Sequence, residues 1–128
     1  PFAAGVFAAV VMLAAIEHVP DHDRALAEAA RVLAGGGRLI LTTPNPRFAR
    51  AAAMAARLGL KFREGFDNGL DLRQLTRLAV AHGLVVHQAQ GFLVTPWPGP
   101  LDALEPRLAA TAVGRGLLLN QLLVAEKP

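Results

Sequence analysis

The chain has no cysteine, which excludes a disulfide framework and any thiolate metal site and fits a reducing compartment such as the cytoplasm. No apolar run reaches the roughly 18 residues that a membrane-spanning helix needs, so no integral membrane contact is expected. Pro1–Ile16 is rich in Ala, Val and Phe but lacks the basic leader of a signal peptide. It contains Gly5 and β-branched Val10-Val11, and it reads as a first core strand with its approach. A large excess of one charge is also lacking. Thirteen Lys and Arg stand against ten Asp and Glu, a net charge of +3, which is no nucleic-acid footprint. Internal repeats, linkers and low-complexity segments are absent too, so nothing argues for disorder. With Pro1 rather than Met in first place, the sequence reads as a fragment or a processed chain.

What is present is enough for one compact domain: 128 residues, 53% of them hydrophobic. Charge becomes uneven only locally. Between positions 47 and 77, Arg47, Arg50, Arg57, Lys61, Arg63, Arg73 and Arg77 face only Glu64, Asp67 and Asp71. A solvated basic face accounts for this run. The same run also suits an anionic substrate or peripheral contact with a membrane surface.

The apolar pattern orders the elements. Phe7 to Leu13 is nearly continuous apolar sequence, as expected of a strand buried on both faces of a parallel sheet. Asp21 or Asp23 is placed to cap a helix whose apolar face is Leu26, Ala29, Ala30 and Leu33, with Gly35-Gly36-Gly37 expected to end it. Leu39-Ile40-Leu41 follows as a second buried strand, stopped by Pro44 and Pro46. Strand, helix and strand of these lengths make a right-handed βαβ crossover.

Phe48 to Leu58 is alanine-rich and predicted helical, and Gly59 to Leu70 is predicted to be a loop. Asp71 is placed to cap a further helix with Leu72, Leu75, Leu78 and Ala79 inward and Gly83 at its end. Leu84 to Gln90 is a strand candidate. A proline-rich loop, Pro96 to Pro100, leads to a short helix over Leu101–Ala112 that Pro106 should break. Gly116 to Glu126 closes the chain as a strand.

Two segments carry a resemblance. P-F-A-A-G-V-F-A-A-V-V, running into E-H-V-P-D at Glu17–Asp21, and G-G-R-L-I-L-T-T-P-N, ending at Asn45, resemble class I S-adenosylmethionine (SAM)-dependent methyltransferases of the small-molecule type. The resemblance covers essentially the whole chain and is densest over Phe2–Asn45. It implies an α/β, Rossmann-like methyltransferase fold present in part. Four strands would form a mixed sheet with one antiparallel strand, helices on both faces, and the family order 4-5-7-6. Residues 1–128 would then be the C-terminal portion of a single methyltransferase domain. The family's SAM-binding glycine loop follows its first strand, and an acidic residue after the second holds the ribose. Neither is found here, because Gly35-Gly36-Gly37 follows a helix rather than a strand.

By the same resemblance, Leu13 and Ala14 line the cofactor, and the acceptor is a small molecule. Glu17 and His18 are the candidate catalytic pair. Methyl transfer is an in-line attack that needs positioning and, for some acceptors, a base, and imidazole is the side chain that titrates nearest neutrality. The alternative for this pair is structural, with His18 bonded to its loop and Glu17 capping or solvated. Thr43 and Asn45 leave the second strand on the same edge and are candidates to orient the acceptor, although Asn45 between two prolines also suits a turn. Phe62, Phe66 and Trp97 sit on predicted loops, with Phe66 and Trp97 as candidate substrate contacts. Some relatives bind a divalent ion through a second Glu three residues before the E-H pair. Ala14 occupies that position, so no metal is expected. His82 and His87 are assigned no chemistry.

Two other classes compete: a catalytically silent interaction module derived from the same fold, and half of a nicotinamide-binding dehydrogenase. Phe7–Leu13 is also expected to expose an unpaired, uncharged sheet edge and so to favour self-association.

Overall fold

The computed structural model describes residues 1–46, 68–92, 103–111 and 118–128. In chain order the elements are β1 (Phe7–Leu13), a 3-10 turn (Ile16–His18), α1 (His22–Val32), β2 (Leu33–Pro44), α2 (Leu72–Ala81), β3 (Val85–Phe92), α3 (Glu105–Ala109) and β4 (Asn120–Glu126). Among the described residues they build one four-stranded sheet in the order β1-β2-β4-β3. β1 and β2 run parallel, and β4 is antiparallel to both its neighbours. This is the mixed sheet with one antiparallel strand that the family order 4-5-7-6 predicts.

Alternation along the strands decides which face is buried, because successive side chains point to opposite sides. Leu39 pairs with Ala125, Leu41 with Leu123 and Thr43 with Gln121, and all six are buried. α1 adds Leu26, Ala29 and Ala30 to the same core, and α2 adds Leu75 and Ala79. Each fully buried leucine contributes roughly 1.5–3 kcal/mol by leaving water.

α1 and α2 each begin where a short carboxylate can accept from the helix's open amides. The Arg24 amide donates to Asp21 Oδ1 at 2.9 Å. At α2, Gln74 N donates to Asp71 Oδ1 at 2.8 Å while Asp71 N donates to Gln74 Oε1 at 2.9 Å, a reciprocal cap. His82 Nε2 lies 2.9 Å from Asp23 Oδ1 and links the two helices.

α1 and α2 therefore share one face. The opposite face is more open, and the predicted helix over Phe48–Leu58 lies outside the described residues. β1 is therefore not buried on both faces as expected, since on that opposite face Val11 is 56% exposed and Leu13 62%. Val85, in the edge strand β3, is also exposed. Among the described residues no helix is long and apolar enough to cross a membrane.

Three local expectations are corrected. The triple glycine does not end α1; Leu33 already has extended backbone, and Gly35–Gly37 lie within β2. They form an outward bulge, since Phe7 pairs with Leu33 but Ala9 with Arg38. Gly36 has φ +75°, and a Cβ on Gly37 would lie 3.0 Å from the Phe7 carbonyl oxygen and 2.8 Å from that of Ala34. Pro106 sits in the first turn of α3 and starts that helix rather than breaking it. The last strand begins only at Asn120.

The last residues are bound back to α1. Lys127 Nζ donates to the carbonyls of Ala30 and Leu33, both at 2.7 Å, and so satisfies acceptors that a helix end leaves open.

Candidate functional site

Ligands of doubly wound sheets sit beyond the carboxyl ends of the parallel strands. Here that edge is formed by Leu13 and Ala14 at the end of β1 and by Thr43 to Asn45 at the end of β2. Ala14 has φ +46°, the left-handed region, which costs a non-glycine residue roughly 1–2 kcal/mol. Its amide donates to the Thr42 carbonyl at 3.0 Å, which holds the reversal in place. The chain turns sharply there into the 3-10 segment Ile16–His18. A strained residue on such an edge points to function.

The six described candidates divide into two sets. Leu13, Ala14 and His18 are exposed. Glu17, Thr43 and Asn45 are buried, Glu17 to 3%. The Thr43 hydroxyl donates to Glu17 Oε2 at 3.0 Å. Asn45 Nδ2 donates to the Leu118 carbonyl at 2.8 Å, and its backbone amide donates to that of Leu119 at 2.8 Å. The buried set thus joins strand ends and loop segments, while the exposed set forms the rim. Phe66 and Trp97, like Phe62, lie outside the described residues.

One buried polar residue had escaped the sequence reading. Gln121, the second residue of β4, lies directly opposite Thr43. An amide beside the apolar run Leu122, Leu123 and Val124 was the available signal. His22, at the start of α1, is also buried, and its Nε2 has no hydrogen-bond partner among the described residues. Among the described residues no group of three or more His, Asp or Glu is placed to hold a metal ion.

A family model described as a methyltransferase domain matches residues 1–89. No curated protein matches the chain. Among solved structures, a SAM-dependent methyltransferase from Thermotoga maritima superposes with a TM-score of 0.70 at 22% identity, covering 100% of this chain and 59% of its own. A complex of the Haloferax volcanii Trm112 methyltransferase activator with a methyltransferase gives 0.67 at 19% identity, with 100% and 57% covered. Geranyl diphosphate C-methyltransferase from Streptomyces coelicolor, solved with Mg2+, geranyl diphosphate and S-adenosyl-L-homocysteine, gives 0.61 at 21% identity, with 100% and 50% covered. The chain therefore spans between half and three-fifths of the length of these neighbours.

Proposed function

The chain belongs to the methyltransferase-domain family, and from that premise we propose that residues 1–128 form the C-terminal portion of a single SAM-dependent domain that methylates a small molecule. The observation that carries this reading is the family match over residues 1–89. It coincides with an exposed rim of Leu13, Ala14 and His18 at the carboxyl ends of β1 and β2. Neighbours solved with SAM, or with S-adenosyl-L-homocysteine and geranyl diphosphate, support the cofactor and the size of the acceptor. The cysteine-free composition accords with a cytoplasmic enzyme.

SAM, when bound, supplies an electrophilic methyl group on a sulfonium. Leu13 and Ala14 suit one wall of its site, since one offers exposed apolar surface and the other has no bulk beyond Cβ. His18 is the candidate base for an acceptor proton. Glu17, buried on Thr43, acts behind it. Thr43 and Asn45 shape the floor of the acceptor site, and Phe66 and Trp97 are its candidate apolar wall. The glycine loop and ribose acid of the family are not in this sequence, so the 128-residue chain alone should bind SAM poorly and turn nothing over.

The test uses the chain joined to the family's preceding βα units. His18→Ala should lower turnover while SAM affinity, measured by calorimetry, stays within about twofold. Unchanged turnover in the folded variant would reduce His18 to a structural role. For the 128-residue chain alone, an affinity of roughly micromolar, about −8 kcal/mol, would overturn the division of the site. A catalytically silent interaction module is the second reading, favoured by the bare apolar face at Val11 and Leu13. Self-association through β1 belongs with it.

A further inference from the structure

Gln121 is 5% exposed, and its Nε2 donates to two carbonyls: Pro44, at the end of β2, at 3.2 Å, and Leu70, just before the cap of α2, at 3.1 Å. Both amide hydrogens are thereby used. Two residues before Leu70, the Asn68 amide donates to the Glu17 carbonyl at 3.0 Å. The Glu17 carboxylate in turn accepts from Thr43, the residue before Pro44. The path Gln121–Leu70–Asn68–Glu17–Thr43–Pro44–Gln121 closes on itself. Its members come from four separate stretches of chain, and Glu17 is covalently followed by His18.

We propose that Gln121 is a positioning residue for methyl transfer, holding the segment that carries His18 at a fixed height above the end of β2. The proposal rests on the functional reading above. A buried carbonyl stripped of its donor is destabilised until it reaches water. Without the Gln121 amide, the Pro44 and Leu70 carbonyls would both lose that donor, and residues 68–70 would move outward to be solvated. Asn68 would then leave the Glu17 carbonyl, and His18 would lose its fixed approach. In-line transfer tolerates little of this, since a misplacement of about 1 Å can lower the rate on the order of a hundredfold.

Hydrogen exchange and histidine NMR on the 128-residue chain test the circuit without any substrate. In Gln121→Leu the Asn68 amide should exchange at least about tenfold faster, and the His18 imidazole resonances should shift or broaden. Lys127→Met, which removes two hydrogen bonds at the opposite end of the sheet, serves as the control and should leave both signals unchanged. Unchanged Asn68 exchange in Gln121→Leu, or an equal rise in Lys127→Met, overturns the proposal. If Gln121→Leu does not fold, Gln121→Asn replaces it. Its shorter amide reaches one carbonyl rather than both, so a smaller acceleration at Asn68 is expected, and none would overturn the proposal. In the complete enzyme, Gln121→Leu should lower kcat about tenfold with KM for SAM held within about twofold. An unchanged kcat overturns the positioning role. An inactive wild-type enzyme would instead refute methyl transfer and leave the exchange result standing.

Discussion

The two faces of the sheet are built from the same strands and have opposite fates. On one, Leu39, Leu41, Leu123 and Ala125 lie under α1 and α2 and are wholly withdrawn from water. On the other, Val11 and Leu13 keep more than half their surface in solvent. Hydrophobicity of sequence is thus not what separates core from surface here, since Leu13 is as apolar as Leu41. The difference lies in what packs above each face. Apolar residues of one β-strand can be stabilising on one side and a site for association on the other.

The sharpest way to break that comparison is to truncate one leucine on each face. Leu41→Ala should lower unfolding free energy by about 2–5 kcal/mol, through lost transfer energy and the cavity left behind. Leu13→Ala should change it by about 0.5 kcal/mol or less. Urea denaturation of both variants checks this, and equal losses would mean that the bare face is covered in solution.

Association is the next effect in size. A charge on an apolar edge opposes pairing with another strand. The double variant Val11→Lys, Leu13→Lys should therefore weaken self-association of the 128-residue chain by about tenfold or more, or roughly 1.4 kcal/mol. Sedimentation velocity over a concentration series reads it. A wild-type chain that stays monomeric would remove the edge as a contact.

How far the comparison was visible in advance depends on the kind of signal. β1, both helix caps and the inward set Leu26, Ala29, Leu75 and Ala79 follow from local pattern, because periodicity and capping act within a few residues. The sheet order came through the resemblance rather than through any local feature. The glycine bulge did not show, since it is a shift of register against β1, some thirty residues upstream. Glu17, Thr43 and Asn45 could be picked out as polar residues at strand ends, but burial depends on tertiary neighbours. Gln121 was missed because an amide at the start of a strand acquires meaning only through its acceptors, the Pro44 and Leu70 carbonyls, which are more than fifty residues away.

A smaller effect sharpens the covered side. His22 buries Nε2 without a partner among the described residues, a loss of roughly 1–3 kcal/mol for such an atom. Replacing it with leucine should raise the midpoint of urea unfolding, by about 1 kcal/mol in stability. A lower midpoint would show that the imidazole finds a partner in solution.

The smallest effect lies on the exposed side of α1. There Arg31 Nε donates to Glu28 Oε2 at 2.7 Å, and Nη2 of the same side chain donates to the Phe2 carbonyl at 2.7 Å. The hydrogen bond from Arg31 holds the Glu28 carboxyl below its ordinary value. A depressed value means that the pair stabilises the fold above the unfolded carboxylate's titration and ceases to as pH falls through the folded value. Glu28 is exposed, so salt should screen the effect. Comparing wild type with Glu28→Gln from pH 7 down to pH 3, at low and high salt, should show a small gap at neutral pH that closes in acid and in salt.

The order β1-β2-β4-β3 has a consequence in time. β4 lies between β2 and β3 yet is the last of the four strands to leave the ribosome. Until Asn120–Glu126 emerge, β2 lacks the neighbour on its inner side and β3 has none. A nascent chain halted after Phe92 can close the parallel β1-β2 pair but cannot join it to β3. The middle of the sheet, rather than its rim, is therefore completed last. Chaperones that shield unpaired strands have their main opportunity during synthesis of the stretch from Phe92 to Asn120.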